Sequence, residues 1–323
     1  MTPEPLLSIE GLSVAFNTEQ GRVRVVEDLG FQLYAGETLG LVGESGCGKT
    51  VTAQTIMRLL PSPPSLIEGG RMVFEGEDLA LLPQSRMRKI RGDRIGMVFQ
   101  EPMTSLNPTQ RIGRQIAEVL SLHRGMEYGD SKSLVMNALK KVGIGNAERR
   151  LEQYPHELSG GLRQRVMIAM AIVCEPKLLI ADEPTTALDV TIQAQIIELL
   201  QAVQRDLGLS ILLITHDLGI VAEMCRVVAI MYAGRIVEGG PTAKIFANPH
   251  HPYTAGLINS SPRQARKGER LPSIPGLVPP PGKRGTGCSF ADRCPRAVEK
   301  CRNVVPPLVS VSGRTLACWN PVP

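Results

Sequence analysis

Eight consecutive residues, Gly43-Glu44-Ser45-Gly46-Cys47-Gly48-Lys49-Thr50, carry the G-x-x-x-x-G-K-[ST] spacing of a phosphate-binding loop. Its glycines let backbone N–H groups approach phosphate oxygens, Lys49 adds a point charge for the β- and γ-phosphates, and Thr50 offers a hydroxyl to Mg²⁺. A second segment, Leu158-Ser159-Gly160-Gly161-Leu162-Arg163-Gln164, places a serine and two glycines at a helix start, where exposed N–H groups attract anions. A chain that already has a phosphate loop has a use for this second site if it closes over a nucleotide held by another subunit.

Other chemistry-bearing residues sit where strands end. The apolar run from Lys177 finishes in Asp182-Glu183. The first acid is placed to hold the Mg²⁺ that bridges phosphates, and the second to polarise an attacking water. His216 follows the run Ser210 to Thr215 and reads as a γ-phosphate sensor, because ligands of open α/β sheets bind beyond the carboxyl ends of strands. Gln100 ends the run Arg94 to Phe99, in reach of Mg²⁺ or the water, and Phe16 at another strand end offers a ring to stack on adenine.

The elements that must position these residues follow from hydrophobic period. Leu6 to Phe16 and Arg24 to Leu33 alternate apolar and polar residues as antiparallel strands do. Glu37 to Gly43 reads as a buried strand entering the phosphate loop, and Thr50 to Leu60 as a helix stopped by Pro61. Thr109 to Val142 is helical with polar breaks, Arg163 to Val173 and Ile192 to Leu207 are helices, and Val227 to Val237 is a hairpin around Ala233-Gly234. Strands alternating with helices predict a mostly parallel sheet covered on both faces. Residues 262–323 hold 11 of the 25 prolines and are expected to form an appendage with few regular elements.

Bulk properties narrow the class. The 323 residues are 43% hydrophobic and 21% charged, with net charge +5. Residues 262–302 hold ten Lys/Arg against three acids, so the rest of the chain is left at −2 and is not shaped for nucleic acid. No apolar run approaches the roughly 20 residues of a membrane helix, and the start of the chain lacks a basic region followed by an apolar stretch. A protein that stays in the cytoplasm is expected. Of seven cysteines, Cys288, Cys294, Cys301 and Cys318 cluster near the C-terminus, which in a cytosolic protein points to metal before disulfides. Their spacing departs from the paired C-x2-C of common zinc ribbons, and four thiolates suit either a [4Fe–4S] cluster or zinc.

The set Gly43 to Thr50, Gln100, Leu158 to Gln164, Asp182-Glu183, Ala187-Leu188-Asp189 and His216, in that order, resembles the ATP-binding subunits of ABC transporters over roughly residues 6–255. Within that family, Phe99 to Pro108, Glu183 to Thr191 and Asn248-Pro249-His250-His251-Pro252-Tyr253-Thr254 are similar to the peptide and nickel importers, and most of all to the D-type ATPase subunits of dipeptide/oligopeptide permeases. The resemblance implies an α/β P-loop NTPase core with a mostly parallel sheet, an antiparallel β subdomain and a helical subdomain near 101–165. An ATP-binding domain over 1–250 would be followed by an extension over 251–323.

The same resemblance implies that Gly43, Ser45, Gly46, Cys47, Gly48, Lys49 and Thr50 surround the phosphates, with Cys47 at a variable position. Thr50, Gln100 and Asp182 would serve Mg²⁺, with Gln100 coupling the site to the membrane partner. Glu183 would be the general base and His216 the γ-phosphate contact. Ser159, Gly160 and Gly161 would cap ATP across a dimer interface that Asp189 joins, and Phe16 would stack on adenine. The cysteine quartet is tilted towards an iron–sulfur cluster, since related importer subunits have clusters in this extension.

The implied partners are a second homologous ATPase subunit in a heterodimer, two transmembrane permease subunits and an extracytoplasmic peptide-binding protein, on the cytoplasmic face of the bacterial inner membrane. A nickel or other small-solute importer of the same branch is the alternative. A soluble ABC ATPase acting on nucleic acid or ribosomes fits less well, since the chain has one phosphate loop, one signature and no long coiled-coil insertion. An ATP-driven iron–sulfur redox enzyme is a further class.

Overall fold

The computed structural model describes residues 4–101, 105–186, 188–260 and 272–323. Of the stretches read above, Pro102, Met103, Thr104 and Ala187 lie outside them, as do the charged residues counted within 262–271. The strands, in chain order, are β1 (Leu7–Thr18), β2 (Gly21–Leu33), β3 (Thr38–Val42), β4 (Ser65–Phe74), β5 (Glu77–Asp78), β6 (Ile95–Val98), β7 (Leu178–Asp182), β8 (Ser210–Thr215), β9 (Val227–Tyr232), β10 (Arg235–Pro241), β11 (Val309–Val311) and β12 (Arg314–Leu316). The chain divides into two compact units, one of residues 1–34, 38–81 and 214–323, the other of 35–37 and 82–213.

The first unit holds an antiparallel sheet in the order β2-β1-β4-β5. β1 runs from Leu7 opposite Leu33 to Thr18 opposite Gly21, so the β1–β2 hairpin closes at Thr18–Gly21 and leaves Phe16 between Val23 and Ser65 near that end. Leu7, Ile9, Leu12 and Val14 are buried, as expected of a strand with one face on a core. A second set of strands has the order β11-β12-β10-β9-β3. β3 is parallel to β9, pairing Leu39 with Val227 through Val42 with Ile230. The β9–β10 hairpin turns at Ala233 and Gly234, both in the left-handed region.

The second unit is built on β6 and β7, which are parallel, with β8 beside β7. All five residues of β7 are buried, and such continuous apolar runs mark strands covered on both faces. The helix Gly160–Ile172 packs directly on β6. A Cβ at Gly96 would lie 2.3 Å from the carbonyl oxygen of Ala171, so only glycine permits that approach. The helices Ile112–Arg124, Tyr128–Lys141 and Ala147–Leu151 fall within the stretch read as a helical subdomain.

The C-terminal region is more ordered than its proline content suggests. β12 pairs with β10, Glu238 opposite Leu316, and β11 pairs with β12. Glu238 on β10 is fully buried, and its two carboxylate oxygens accept the backbone N–H groups of His250 and His251, each at 2.9 Å. Arg314 stands 3.5 Å from the same carboxylate and donates to the carbonyl of Asn248 at 2.6 Å. The Asn248–Thr254 stretch is thereby fixed to the sheet. His251 then caps the helix Pro252–Asn259, its Nδ1 accepting from the Tyr253 N–H at 3.0 Å, with Pro252 at the first helical position. Tyr232, Tyr253 and Phe290 close a buried aromatic cluster with ring centres 4.6 to 5.4 Å apart.

Burial lowers the His251 pKa to about 3, so the folded chain keeps this imidazole neutral. An unfolded histidine titrates near 6.5. The unfolded state therefore binds the extra proton between those values, and the stability present above pH about 6.5 is lost as pH falls towards 3. His251→Asn retains a side-chain acceptor for the cap. Urea unfolding from pH 8 to 4 should show the native chain losing stability relative to this variant by about 1 kcal/mol per pH unit below about 6.5. Parallel pH profiles would contradict the neutral buried imidazole.

Candidate functional site

The phosphate loop belongs to the first unit. β3 delivers the chain to Gly43, where a Cβ would lie 2.2 Å from the carbonyl oxygen of Met231 on β9. Gly46 and Gly48 then adopt φ of 78° and 109°, a region that L side chains avoid. The loop is tied to the β9–β10 turn by the Gly234 N–H, which donates to the Cys47 carbonyl at 2.9 Å. Gly48 precedes the helix Lys49–Ile56 without a side-chain cap, and no acidic residue occupies the helix's first turn. The N-terminal N–H groups and the positive end of the helix dipole are thus available to an anion.

Lys49 is 4% exposed, and its ammonium donates to the carbonyls of Gly43 at 2.8 Å and Glu44 at 3.1 Å. Among the described residues no carboxylate pairs with it. The ammonium also donates to the Cys47 sulfur at 3.9 Å, and a buried cation held by neutral acceptors fits a phosphate as its missing counter-charge. Ser45 and Gly46 are exposed at the tip, and Thr50 is half-buried at the second helical position. Cys47 is buried, and burial pushes its thiol up, so it fills space beneath Gly43 as a neutral group. His216 is exposed immediately after β8, ahead of Asp217, which caps the helix Leu218–Met224. Phe16 is half-buried.

The second unit assembles the acids. Asp182 is the last residue of β7 and 2% exposed. Glu183 takes a left-handed φ of 46°, a conformation that costs a residue with a Cβ on the order of 1 kcal/mol. Its Oε2 accepts from the Gln100 amide at 3.3 Å and from the Thr186 hydroxyl at 2.7 Å. Two further amides hold the turn. Buried Gln164 donates to the Pro184 carbonyl at 2.6 Å, and Gln193 donates to the Thr185 carbonyl at 3.1 Å. Thr186, Gln164 and Gln193 were not assigned roles from sequence. The available signal was Gln164 itself, an amide on the buried face of a helix otherwise packed with Val166, Met167 and Ile168.

The Ser159 segment and Asp189 also lie together in this unit. Ser159 caps the helix Gly160–Ile172, its hydroxyl accepting from the Leu162 N–H at 3.4 Å. Asp189 caps Val190–Leu207 by accepting from the Ile192 N–H at 2.9 Å. A Cβ at Gly161 would come 3.0 Å from Ile192, and one at Gly160 3.8 Å from Leu188, so the glycines let these helix starts sit side by side. Ser159, Gly160 and Asp189 are exposed. The arrangement is an uncovered pair of helix N-termini, which suits an anion brought from outside the unit. The Thr50 hydroxyl and the Asp182 carboxylate are each hard oxygen donors of the kind that Mg²⁺ takes.

Comparisons with known proteins converge. The ABC transporter family profile matches residues 26–186, and the profile for the oligopeptide/dipeptide transporter C-terminal region matches 237–301. A putative peptide import ATP-binding protein of Brucella ovis is 52% identical over 323 residues, covering 97% of this chain and 96% of the relative. The dipeptide transport ATP-binding protein DppD of Bacillus subtilis is 49% identical, covering 98% and 95%. The oligopeptide transport ATP-binding protein OppD of Salmonella typhimurium is 49% identical, covering 99% and 96%.

Among solved structures, a dimeric ATP-binding cassette in a post-hydrolysis state with ADP and Pi has a TM-score of 0.65 at 24% identity, over 73% of this chain and 98% of that one. A Clostridium perfringens protein that is part of an ABC transporter complex has a TM-score of 0.63 at 29% identity, over 76% and 91%. The expected α/β fold of ABC type is the one found.

The iron–sulfur or zinc expectation is corrected. Among the described residues no group of three or more His, Cys, Asp or Glu side chains is set to hold a metal ion, and the relatives' names describe ATP-binding transport proteins. Burial raises the thiols of Cys288 and Cys294, and that of Cys318 to about 11. Cys301 is buried, and its carbonyl accepts from the Cys288 N–H at 2.7 Å. Proximity in sequence does not by itself make a ligand set. The region is held instead by the Glu238 anchor and the aromatic cluster.

The phosphate loop yields a direct prediction. Gly43→Ala puts a methyl where the Met231 carbonyl stands, and the loop must shift. ATP affinity measured by equilibrium titration should fall more than about tenfold, since the donors lose their alignment. Affinity equal to that of the native chain would show that this turn does not shape the site.

Proposed function

Because this chain belongs to the ABC transporter family and carries the C-terminal region of oligopeptide/dipeptide transporters, we propose that it is the ATP-hydrolysing subunit of a membrane importer that powers uptake of dipeptides or oligopeptides. The observation that carries this reading is the near-full-length identity to dipeptide and oligopeptide transport ATP-binding proteins, which includes both the phosphate loop and the C-terminal region.

The residue roles are those the motifs imply, supported where stated by geometry within each unit. Gly43 to Thr50 hold the triphosphate, with Lys49 as its buried counter-charge and Phe16 stacking on the base. Thr50, Asp182 and Gln100 are the groups suited to Mg²⁺, which when bound neutralises charge between the β- and γ-phosphates. Glu183, held in place by Gln100, Thr186 and the two amides that fix its turn, orients and deprotonates the attacking water. His216 senses the γ-phosphate. Ser159, Gly160 and Gly161 close over a nucleotide carried by a second, homologous ATPase subunit, and Asp189 stiffens that face by capping its own helix.

The closed pair is favoured because the nucleotide is held from both sides. Hydrolysis removes one of those attachments and reopens the pair. Two permease subunits would convert this cycle into movement of substrate delivered by an extracytoplasmic peptide-binding protein. No helix among the described residues is long and apolar enough to cross a membrane. This chain would therefore dock peripherally, on the cytoplasmic face of the membrane.

Two variants test the reading. Glu183→Gln in the assembled transporter should retain ATP affinity while phosphate release falls by about 10²- to 10³-fold. Turnover near the native rate would remove Glu183 as general base. Ser159→Arg should leave ATP binding to the separate subunit within about twofold yet abolish ATP-dependent pairing, because a bulky cation fills the cap. Normal ATP-driven pairing, seen by light scattering, would refute the cross-subunit role.

A further inference from the structure

Glu44, the second residue of the phosphate loop, is held by the C-terminal region. Its backbone N–H donates to the Tyr253 hydroxyl at 3.0 Å. Its carboxylate Oε2 accepts from Arg293 Nη1 at 3.0 Å. The Arg293 side chain is only 7% exposed. It is locked on its other edges, with Nε donating to the Pro275 carbonyl at 2.9 Å, Nη2 to the Ile274 carbonyl at 3.4 Å and Nη1 also to the Tyr232 hydroxyl at 3.3 Å. The guanidinium lies 5.7 Å from the ring centre of Tyr232 and 5.9 Å from that of Phe290. Tyr253 and Arg293 both fall within the matched oligopeptide/dipeptide C-terminal region, and neither has a part in the roles given above.

A carboxylate on a loop that must hold a triphosphate is a liability. Glu44 places a negative charge next to Gly43, whose carbonyl accepts from the Lys49 ammonium, so an unpaired Glu44 would repel the anion and compete for Lys49. Arg293 supplies the compensating charge from an ordered, largely buried position, where salt screens the pair less than it would on the surface. We propose that Arg293 of the C-terminal region is a positioning residue for nucleotide: by neutralising Glu44 it sets the affinity of the phosphate loop for the triphosphate. The region matched to peptide transporters thereby acts on the ATP site in its own subunit. This rests on the reading of Gly43 to Thr50 as the nucleotide site.

The test is a charge cycle on the full-length chain, titrated with Mg²⁺ and the slowly hydrolysed analogue ATPγS at low and at high salt. Arg293→Met leaves Glu44 unpaired and should weaken binding about five- to tenfold at low salt, the deficit shrinking as salt rises. Arg293→Lys keeps the charge but not the guanidinium fork, and should recover part of the affinity lost in Arg293→Met. Glu44→Gln leaves the guanidinium unopposed and should tighten binding by about twofold or more. This variant also keeps the test decisive if Arg293→Met unfolds. The double variant Glu44→Gln/Arg293→Met restores neutrality and should return to native affinity.

A double variant as weak as Arg293→Met would mean that Arg293 acts through packing, and would overturn the proposal. So would native affinity in Arg293→Met, or weakened binding in Glu44→Gln. Lys49→Ala is the control for the underlying reading. If it loses affinity while the charge cycle is flat, only the role of Arg293 fails. If Lys49→Ala itself binds like the native chain, the loop is not the nucleotide site.

Discussion

The interaction on which the rest of the molecule depends is the buried ammonium of Lys49, held by two backbone carbonyls of its own loop. A cation this deep is costly unless a negative charge meets it. The loop answers that cost by shape. Gly43 presses against the Met231 carbonyl, two glycines turn left-handed, and an uncapped helix begins at Lys49, so the backbone N–H groups of that helix start are left for an anion. The first unit can be read as a scaffold for that arrangement. β3 and β9 are paired in parallel beneath the loop, and the β9–β10 turn fastens it through Gly234.

The second unit applies the same economy to a different task. Glu183 is placed at a strained φ and then surrounded by amide and hydroxyl donors, two of which bind its carboxylate and two of which bind the carbonyls that follow it. Strain of this kind persists because the surrounding bonds over-determine it. The Ser159 and Asp189 helix starts are left uncovered beside one another.

Much of this was legible in the sequence, and the failures have physical causes. Local spacing fixed the strand-to-loop-to-helix path through Gly43 to Thr50, and hydrophobic period found β7, β8 and the long helix Val190–Leu207 within a residue or two. Long-range partners were not readable. Nothing in the spacing says that Gln164 reaches the Pro184 carbonyl, that Glu238 receives two N–H groups from residues twelve and thirteen positions on, or that Tyr253 reaches Glu44. The four clustered cysteines misled because spacing reveals residue type but not whether side chains converge, and among the described residues no group of three or more such side chains is set to hold a metal ion. The proline-rich tail also concealed β11 and β12, strands of three residues whose stability comes from pairing with β10 rather than from their own pattern.

The central claim is that hydrolysis belongs to an assembly, with the phosphate loop of one chain and the Ser159 segment of another sharing each nucleotide. The most direct measurement compares ATP turnover by the purified chain alone with turnover by the same chain reassembled with its second ATPase subunit and permeases in lipid vesicles, while labelled peptide uptake is followed. The account predicts slow turnover for the isolated chain, and a large rise in turnover together with uptake on assembly. Full turnover by the solitary monomer, unchanged by any partner, would contradict it.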